Sequence, residues 1–501
     1  MPDMPGSDDW KGTLADLEDR RGAGRSMGGE ERLAKHHAQG KLDARARIDT
    51  LLDPGSFLEL GTLAGGREAP ADAIVLGSGR IAGRPVIVAA EDFTVLAGTI
   101  SHTSNSKRYR AAELAVTDRV PLVMMLDGAG FRADGKVYGR TPTDMLAQAR
   151  CSGRVPLVTA VLGSSAGHGA LVAPISDFAV MSAHGAIFTA GPPVVKESLG
   201  ETVTKEELGG PTIAVASGLI HNVGADDAAT LDLVRLYLSY FPSSAWSYPP
   251  DYVHDDTQPR LVPEILDIIP RDGRRVYDMR DVVDVVVDQS SWFEVQPEFG
   301  RTVVCALAHL GGHPVAVVAN QPKVMAGSID VDGADKAARF ITVADSFHLP
   351  LVFLADNPGV LPGTKSERAG VLRSGARMFA AQAHATTPKV HLTLRKAYGF
   401  GSLVMALAAH GHQTATFAYP GATLGAMGAD ASSRAMGSDD DEAAQLRELE
   451  LTASYRSAER LGFDELIDPR ETRDALLGAV ALAVTRRQEL PSPKLRAGIM
   501  P

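Results

Sequence analysis

Short runs of β-branched and aliphatic residues, bounded by Pro and Gly, recur along the chain in the manner of buried strands. They are VIVAA (86–90), LVMML (122–126), VTAVL (158–162), VAVVA (315–319), LVFLA (351–355) and VHLTL (390–394). Between them, 104–119 and 332–347 place apolar residues three and four positions apart, which predicts amphipathic helices. Strands that alternate with helices favour an α/β fold with parallel sheets and right-handed crossovers.

The two halves of the chain repeat one another. RPVIVAAEDFTVLAG (84–98) aligns with HPVAVVANQPKVMAG (313–327), and the next strand of each half reaches an aspartate, Asp127 or Asp356. The intervals between Pro and Gly residues also match: 85–98 with 314–327, 98–121 with 327–350, and 156–167 with 388–399. Equal spacing at three places indicates two copies of one strand–loop–helix unit.

The repeat predicts a domain organisation. We expect a first domain over 28–258 and a second over 259–501, with the Pro- and Ser-rich segment 241–263 as the linker. The polar, Gly-rich residues 1–27 predict a loose arm, followed by a helix around Glu30–Gln39.

The amino-acid composition favours a soluble globular protein and argues against several other classes. Hydrophobic residues make up 45% of the 501 and charged residues 22%, as in ordinary soluble globular proteins. The formal charge of −11 argues against a nucleic-acid-binding surface. Cys151 and Cys305 are too few for a disulfide framework, so we expect a cytoplasmic protein. We expect neither a secretory signal nor a membrane span, because the N-terminus lacks an apolar core and no run of 18 apolar residues occurs.

A Gly-rich turn follows the third strand of each copy and leads into a helical pattern. The turns are Ala166-Gly167-His168-Gly169 and Tyr398-Gly399-Phe400-Gly401. At such a helix start, several backbone N–H groups lack partners and point towards one spot, where the helix dipole adds positive charge. Each turn could therefore hold an enolate oxyanion. The alternative is that the glycines only permit a tight turn.

Four long segments resemble one known family. They are 28–61, 188–211, 320–363 and 395–406, and the similarity extends over about 28–490. The chain resembles the carboxyltransferase (beta) subunits of propionyl-CoA, methylcrotonyl-CoA and acetyl-CoA carboxylases.

The resemblance implies two tandem crotonase-like (ClpP/crotonase) ββα-superhelix domains and a hexamer built as a dimer of trimers. It implies an enzyme that moves CO2 from carboxybiotin, carried by a biotin carboxylase and biotin carboxyl carrier alpha subunit, to a short acyl-CoA. The biotin enolate would remove the substrate's α-proton, so no side-chain base and no metal are required. Acetyl-, propionyl-, butyryl- and methylcrotonyl-CoA all stay open as substrates.

The resemblance also assigns site residues. Gly167 and His168 would hold the thioester enolate oxygen, and Phe400 and Gly401 the ureido oxygen of biotin. Further acyl-CoA contacts are expected from Gly128, Ala129, Gly130, Ala166, Gly169, Tyr398, Gly399 and Leu403. Asn357, Pro358 and Gly359 are expected on the biotin side.

Two positions depart from the family pattern. His168 and Phe400 stand where many members have glycine. A backbone N–H survives either change, so the chemistry can persist, whereas room above each turn is not assured. The departures also motivate a different hypothesis, a catalytically silent scaffold.

Other motifs suggest competing functions. Gly163–Gly167 matches the G-x-S-x-G nucleophile elbow, with Ser165 as nucleophile and His221 as base, although the second copy has no serine there. The segment 130–136 has Walker A spacing, but Val137 replaces the Mg²⁺-binding hydroxyl. A biotin-dependent decarboxylase is a further alternative, because the half-reaction is reversible.

The patterns of several other charged residues and histidines are less specific. Lys107, Arg108 and Arg110 could contact CoA phosphates or lie on a solvated helix face. The segment 439–442 is expected to be an exposed acidic turn before a helix. Five histidines form no recognisable metal site with carboxylates: His36, His37, His184, His410 and His412.

Overall fold

The computed structural model describes residues 10–132, 142–253 and 255–494. Two compact units divide between Leu238 and Ser239. The strands of the first unit are β1 Leu58–Leu60, β2 Ile74–Ile81, β3 Arg84–Glu91, β4 Leu122–Gly128, β5 Leu157–Ala166, β6 Phe178–Ser182, β7 Ala186–Phe188 and β8 Asn222–Gly224.

The helices of the first unit follow the strands and pack beside the sheet. They are α1 Trp10–Arg25, α2 Glu30–His37, α3 Ala44–Leu51, α4 His102–Asp118, α5 Asp144–Cys151, α6 Val172–Ile175, α7 Pro192–Leu199, α8 Lys205–Gly209, α9 Pro211–Ala216 and α10 Asp227–Ser239. Short 3-10 helices cover Pro70–Ala73, Leu96–Gly98 and Gly167–Leu171.

The second unit has the same kinds of element. Its strands are β9 Phe293–Val295, β10 Val303–Leu310, β11 His313–Asn320, β12 Leu351–Asn357, β13 Lys389–Tyr398, β14 Gln413–Ala418, β15 Thr423–Gly425 and β16 Glu465–Leu466. Its helices are α11 Ile265–Ile268, α12 Met279–Val286, α13 Val331–Ser346, α14 Thr364–Ala369, α15 Val371–His384, α16 Gly399–Met405, α17 Ala429–Met436, α18 Asp440–Leu451, α19 Ala453–Ala458 and α20 Thr472–Val484. Met325–Gly327 and Pro469–Glu471 are 3-10 helices.

The two sheets have identical topology, which confirms the duplication. In the first sheet the order is β1-β2-β3-β4-β5-β6-β8, with β7 beside β5. In the second it is β9-β10-β11-β12-β13-β14-β16, with β15 beside β13. The first three strands of each sheet are antiparallel, and the later ones are parallel.

The apolar runs found in the sequence are the buried centres of these strands. All seven residues of β4 and all seven of β12 are buried, since helices cover parallel strands on both faces. Each unit has its own apolar cluster, with Leu122 and Leu157 in the first and Val315 and Val390 in the second. The predicted α/β fold and its two long crossover helices, α4 and α13, are confirmed.

The N-terminal region differs from the expectation. Residues 10–25 form helix α1 rather than a loose arm, although nearly all of them are exposed. Asp16 and Arg20 form an ion pair one turn apart, which supports a helix even in a polar, Gly-containing segment. The helix expected around Glu30–Gln39 is confirmed as α2.

The region expected to link the domains lacks regular structure. No helix or strand occurs between α10 and α11 in the part of 240–264 that the structure describes. The boundary at 258 stays a prediction. No helix within the described ranges is long and apolar enough to cross a membrane.

Arg473 of α20 fixes this irregular segment to the second unit. Its guanidinium is fully buried, donates to the Asp256 carbonyl at 2.6 Å and the Val286 carbonyl at 2.9 Å, and pairs with Asp288 at 2.8 Å. Loss of this cation would leave the Asp288 carboxylate buried without its partner.

We therefore expect Arg473→Met to lower the free energy of unfolding by about 3–5 kcal/mol, as for other broken buried ion pairs. Chemical denaturation followed by circular dichroism measures the change. Arg470→Met is the matched control, because Arg470 is exposed and its partner Asp468 is also reachable by water. Equal stability of the two variants would contradict the structural role of Arg473.

Candidate active site

The first Gly turn connects β5 to a helical segment within one residue. β5 ends at Ala166, and Gly167 has a φ of 56°, which favours glycine. The 3-10 helix then starts at once and continues into α6. No side chain within the described ranges caps this helix start. The first N–H groups of a helix have no acceptor within it, so the turn presents backbone donors at a helix start.

The second turn has the same geometry. β13 ends at Tyr398, Gly399 has a φ of 52°, and α16 begins there. No side chain that the structure describes caps this helix start either. Both predicted turns thus place the first backbone N–H groups of a helix directly after a strand.

The other expected residues of the first half lie beside its turn. A Cβ at Gly130 would lie 3.0 Å from the Ala166 carbonyl oxygen. A Cβ at Gly128 would lie 2.8 Å, and one at Gly169 3.4 Å, from a carboxylate oxygen of Glu91. The structure therefore brings 128–130 and 166–169 together over Glu91.

The second half brings its expected residues together in the same way. The Gly359 N–H donates to Asn357 Oδ1 at 3.1 Å. A Cβ at Gly401 would lie 2.0 Å from the same oxygen, and one at Gly359 3.4 Å from the Tyr398 carbonyl oxygen. Only glycine fits at 401 while Asn357 keeps this position.

Equivalent buried polar groups fix the strand ends below the two turns. Glu91 accepts the Asp127 N–H at 2.9 Å in the first unit, and Asn320 accepts the Asp356 N–H at 3.1 Å in the second. The Asn357 side chain also donates to Asn320 at 3.1 Å. The two halves thus keep one contact but use a carboxylate in one and an amide in the other.

The carboxylate in the first half belongs to a buried ionic network. Arg108 donates to Glu91 at 2.6 Å and to Asp144 at 2.6 Å, and Asp144 binds the His168 ring. Burial raises the pKa of Glu91 to about 7, although Arg108 opposes the shift. Burial also disfavours the Asp144 carboxylate, but His168 and Arg108 outweigh it and lower the pKa of Asp144 to about 2.

Phe400, the other departure from the family pattern, is accommodated by packing. Its ring lies 6.2 Å from that of Phe379 on α15, between centroids. A Cβ at Gly375 would lie 3.0 Å from the Phe400 ring, so a small residue makes the room. In both turns, therefore, the unusual side chain contacts a neighbouring helix.

Three further expected residues of the second unit adjoin solvent or a cavity. Leu403 is 48% exposed. Tyr398 and Pro358 line a cavity of about 1220 Å³. The Tyr398 hydroxyl contacts Glu450 of α18 and Thr423, and burial raises the pKa of that hydroxyl.

Both hypotheses about the cations of α4 were wrong for Lys107 and Arg108. Their side chains are buried, so they neither lie on a solvated face nor reach a CoA phosphate. Lys107 donates to the carbonyls of Gly61 and Ala71, and burial lowers the pKa of its amine to about 8. Arg110 is exposed and pairs with Glu113.

The acidic segment 439–442 also differs from the expectation. Asp439 accepts the Glu442 N–H at 2.8 Å and caps α18, so the other three residues form the first turn of the helix rather than precede it.

The competing motifs find little support. Ser165 is fully buried and its hydroxyl has no hydrogen-bond partner within the described ranges, while the His221 ring accepts the Ala179 N–H at 2.8 Å. Ser165 therefore forms no hydrogen bond with His221. The Walker-like segment 130–136 extends into 133–141, outside the described residues. No group of three or more potential metal ligands occurs where the structure is described.

Comparison with known families identifies the chain. Residues 35–497 match the Carboxyl transferase domain. The chain belongs to this family. It is a carboxyltransferase subunit and an enzyme of that type, as the sequence predicted.

Curated relatives match over almost the whole chain. The methylmalonyl-CoA carboxyltransferase 12S subunit of Propionibacterium freudenreichii subsp. shermanii is 36% identical, covering 97% of this chain and 96% of its own. The human mitochondrial propionyl-CoA carboxylase beta chain is 35% identical, with 95% and 91% covered. The methylmalonyl-CoA decarboxylase subunit alpha of Veillonella parvula is 34% identical, with 94% and 96% covered.

A solved structure confirms the fold. The transcarboxylase 12S hexamer crystallised with methylmalonyl-CoA and methylmalonic acid matches with a TM-score of 0.90 and 34% identity, and the match covers 100% of both chains. The expected tandem crotonase-like architecture is thereby confirmed.

Sequence reasoning missed the groups below the turns. Glu91 and Asn320 end apolar strand runs at equivalent positions, and the repeat alignment could have singled them out. Asp144 had no such signal, because its contacts to Arg108 and His168 arise only when α4, α5 and the turn come together.

The close approach at Gly401 gives a stability prediction. Gly401→Ala places a methyl group into Asn357 Oδ1, so we expect the free energy of unfolding to fall by about 1–3 kcal/mol, as in other overpacked sites. Thermal and chemical unfolding measure the effect. Gly478→Ala in α20 is the control, because its Cβ would meet nothing within 4 Å. A Gly401→Ala protein as stable as the control would contradict this packing.

Proposed function

We propose that this chain transfers a carboxyl group between biotin on a partner protein and the α or vinylogous γ carbon of a short acyl-CoA, with one backbone turn for each reactant. The carrying observation is the pair of equivalent turns, in which a positive-φ glycine starts a helix directly after a strand. The first N–H groups of each helix have no acceptor within it, and no side chain in the described part of the chain caps either helix start.

The first turn would hold the thioester oxygen. As the α-proton leaves, negative charge moves onto that oxygen, and the N–H groups of Gly167 and His168 would stabilise it. A preorganised donor of this kind contributes about 3–4 kcal/mol to lowering the barrier. Gly128–Gly130 and Gly169 would form the nearby wall, since they lie over Glu91 beside this turn.

The second turn fits the ureido oxygen of biotin. A carbonyl oxygen that gains charge needs convergent N–H donors, and Phe400 and Gly401 supply a pair. Asn357 and Gly359 lie against Gly401, so the expected biotin-side residues adjoin this pair. Carboxybiotin supplies the CO2 and, once decarboxylated, the base.

The buried carboxylates near the first turn support a reaction without a side-chain base. Glu91 accepts from Arg108 and the Asp127 N–H, and Asp144 is held by Arg108 and His168. A base must be free to accept a proton from the substrate. Both groups are instead engaged in hydrogen bonds.

The relatives support the assembly proposed here. The solved 12S structure is described as a hexamer and a multienzyme core. We propose that this chain also forms a hexamer, a dimer of trimers, and works with a separate biotin carboxylase and biotin carrier subunit in the cytoplasm.

A decarboxylase is the second candidate, favoured by the similarity to the Veillonella subunit. It would run the acyl-CoA step in reverse with the same two turns. The scaffold hypothesis is less well supported, because neither His168 nor Phe400 removes a backbone donor.

Reconstitution tests the function. The chain is combined with its cognate biotinylated subunit, ATP and labelled bicarbonate, and a panel of acetyl-, propionyl-, butyryl- and methylcrotonyl-CoA. We expect label in at least one acyl-CoA. Release of CO2 from methylmalonyl-CoA without net fixation would favour the decarboxylase, and neither activity in an intact assembly would favour the scaffold.

A backbone substitution tests the turns directly. Phenyllactic acid at 400, introduced by nonsense suppression, replaces the N–H by oxygen and keeps the ring. We expect turnover to fall about 10²–10³-fold, because one oxyanion donor is lost. The same substitution at the partly exposed Phe93 and phenylalanine reincorporation at 400 are the controls. Unchanged turnover of the Phe400 ester would overturn the role of the second turn.

A further inference from the structure

We infer that His168 is a positioning residue whose ring, bound to Asp144, holds the donors of the first turn in place for carboxyl transfer. The inference rests on the proposed function and concerns a residue at which this chain departs from the family pattern.

The first step is the contact itself. His168 Nε2 is hydrogen-bonded to Asp144 Oδ1. The His168 side chain remains 31% exposed, whereas Asp144 is fully buried. The ring therefore connects a fixed interior group to a turn that must present its backbone to a ligand.

Asp144 is a rigid anchor. It is the first residue of α5, its N–H donates to Asn105 at 3.1 Å, and its other carboxylate oxygen accepts from Arg108 at 2.6 Å and Gln148 at 2.9 Å. Oδ2 of Asp144 is thus bound by two buried side chains, and Oδ1 contacts the His168 ring.

The network also holds the turn from its other side. An Arg108 guanidinium nitrogen lies 3.4 Å from the Gly169 carbonyl oxygen, to which it donates. The same ionic network therefore holds His168 through its side chain and Gly169 through its carbonyl oxygen. Movement of the ring would be transmitted to the adjoining N–H groups.

Asp144 is a strong acceptor for the His168 ring. Burial disfavours its carboxylate, but His168 and Arg108 outweigh burial and lower the pKa of Asp144 to about 2, so it meets the ring as an ion. A hydrogen bond to an ionised acceptor is stronger than one between neutral groups.

The second half offers an internal comparison. The repeat aligns Phe400 with His168, Asn320 with Glu91 and Ala337 with Arg108. The second turn is therefore anchored by apolar packing on α15, with no titratable group at these positions. The same backbone geometry is held by charge in one copy and by packing in the other.

The test separates anchoring by the hydrogen bond from the mere presence of a ring. His168→Gln keeps an N–H that can reach Asp144, and His168→Phe imitates the second copy without its packing partner. Both keep the backbone N–H of residue 168. His184→Gln, an exposed histidine of the same unit, is the matched control.

The assay measures kcat and KM separately for methylmalonyl-CoA with free biotin as acceptor. We expect His168→Gln to retain most of the wild-type kcat, as the His184→Gln control does, because its amide can still donate to Asp144. His168→Phe should lose about 10- to 100-fold in kcat with a smaller change in KM, as misplaced groups do.

The outcomes are distinct. If the wild type transfers the carboxyl group and His168→Phe matches it in kcat, only this inference falls. A loss of kcat in His168→Gln as large as that in His168→Phe also overturns it. If an intact wild-type assembly transfers nothing to biotin, the proposed function falls and takes the inference with it.

Discussion

The rest of the site depends on one backbone constraint, the change from strand to helix within a single residue. At Gly167 and Gly399 the chain takes a φ of 56° and 52°, a region that costs energy for any residue with a Cβ. Because the helix starts immediately, its first N–H groups have no carbonyl behind them. They are donors created by topology rather than by side chains, so they persist while the side chains around them change.

The duplicated units show what this constraint permits. The strand orders agree throughout, and the buried Lys107 and Lys336 occupy equivalent positions, each donating to backbone carbonyls. The groups below the turns have diverged from carboxylate to amide, and from guanidinium to methyl. Such divergence is compatible with one half facing a CoA thioester and the other facing biotin, because the donor geometry is retained while the local charge differs.

Much of the fold was predictable because local patterns in the sequence determine it. Buried strands, crossover helices and the two Gly turns follow from apolar runs, periodicity and equal spacing, and the residues expected around each turn do adjoin it. The burial of Lys107 and Arg108 was not predictable, since a basic run on a helix usually indicates solvent. Long-range partners decide such cases: Arg108 meets Glu91 and Asp144, which are far away in sequence.

His168 and Phe400 show why a departure from a family pattern need not mean lost function. A side chain added to a turn needs space and contacts, and here each finds them on a helix of its own unit. His168 contacts the Asp144 carboxylate of α5, and Phe400 contacts an aromatic ring of α15. Gly375 provides the room for the ring, and Asp144 provides the partner for the imidazole. Substitution and accommodation occur together in both copies. The two departures therefore do not by themselves indicate that the chain has lost its catalytic role.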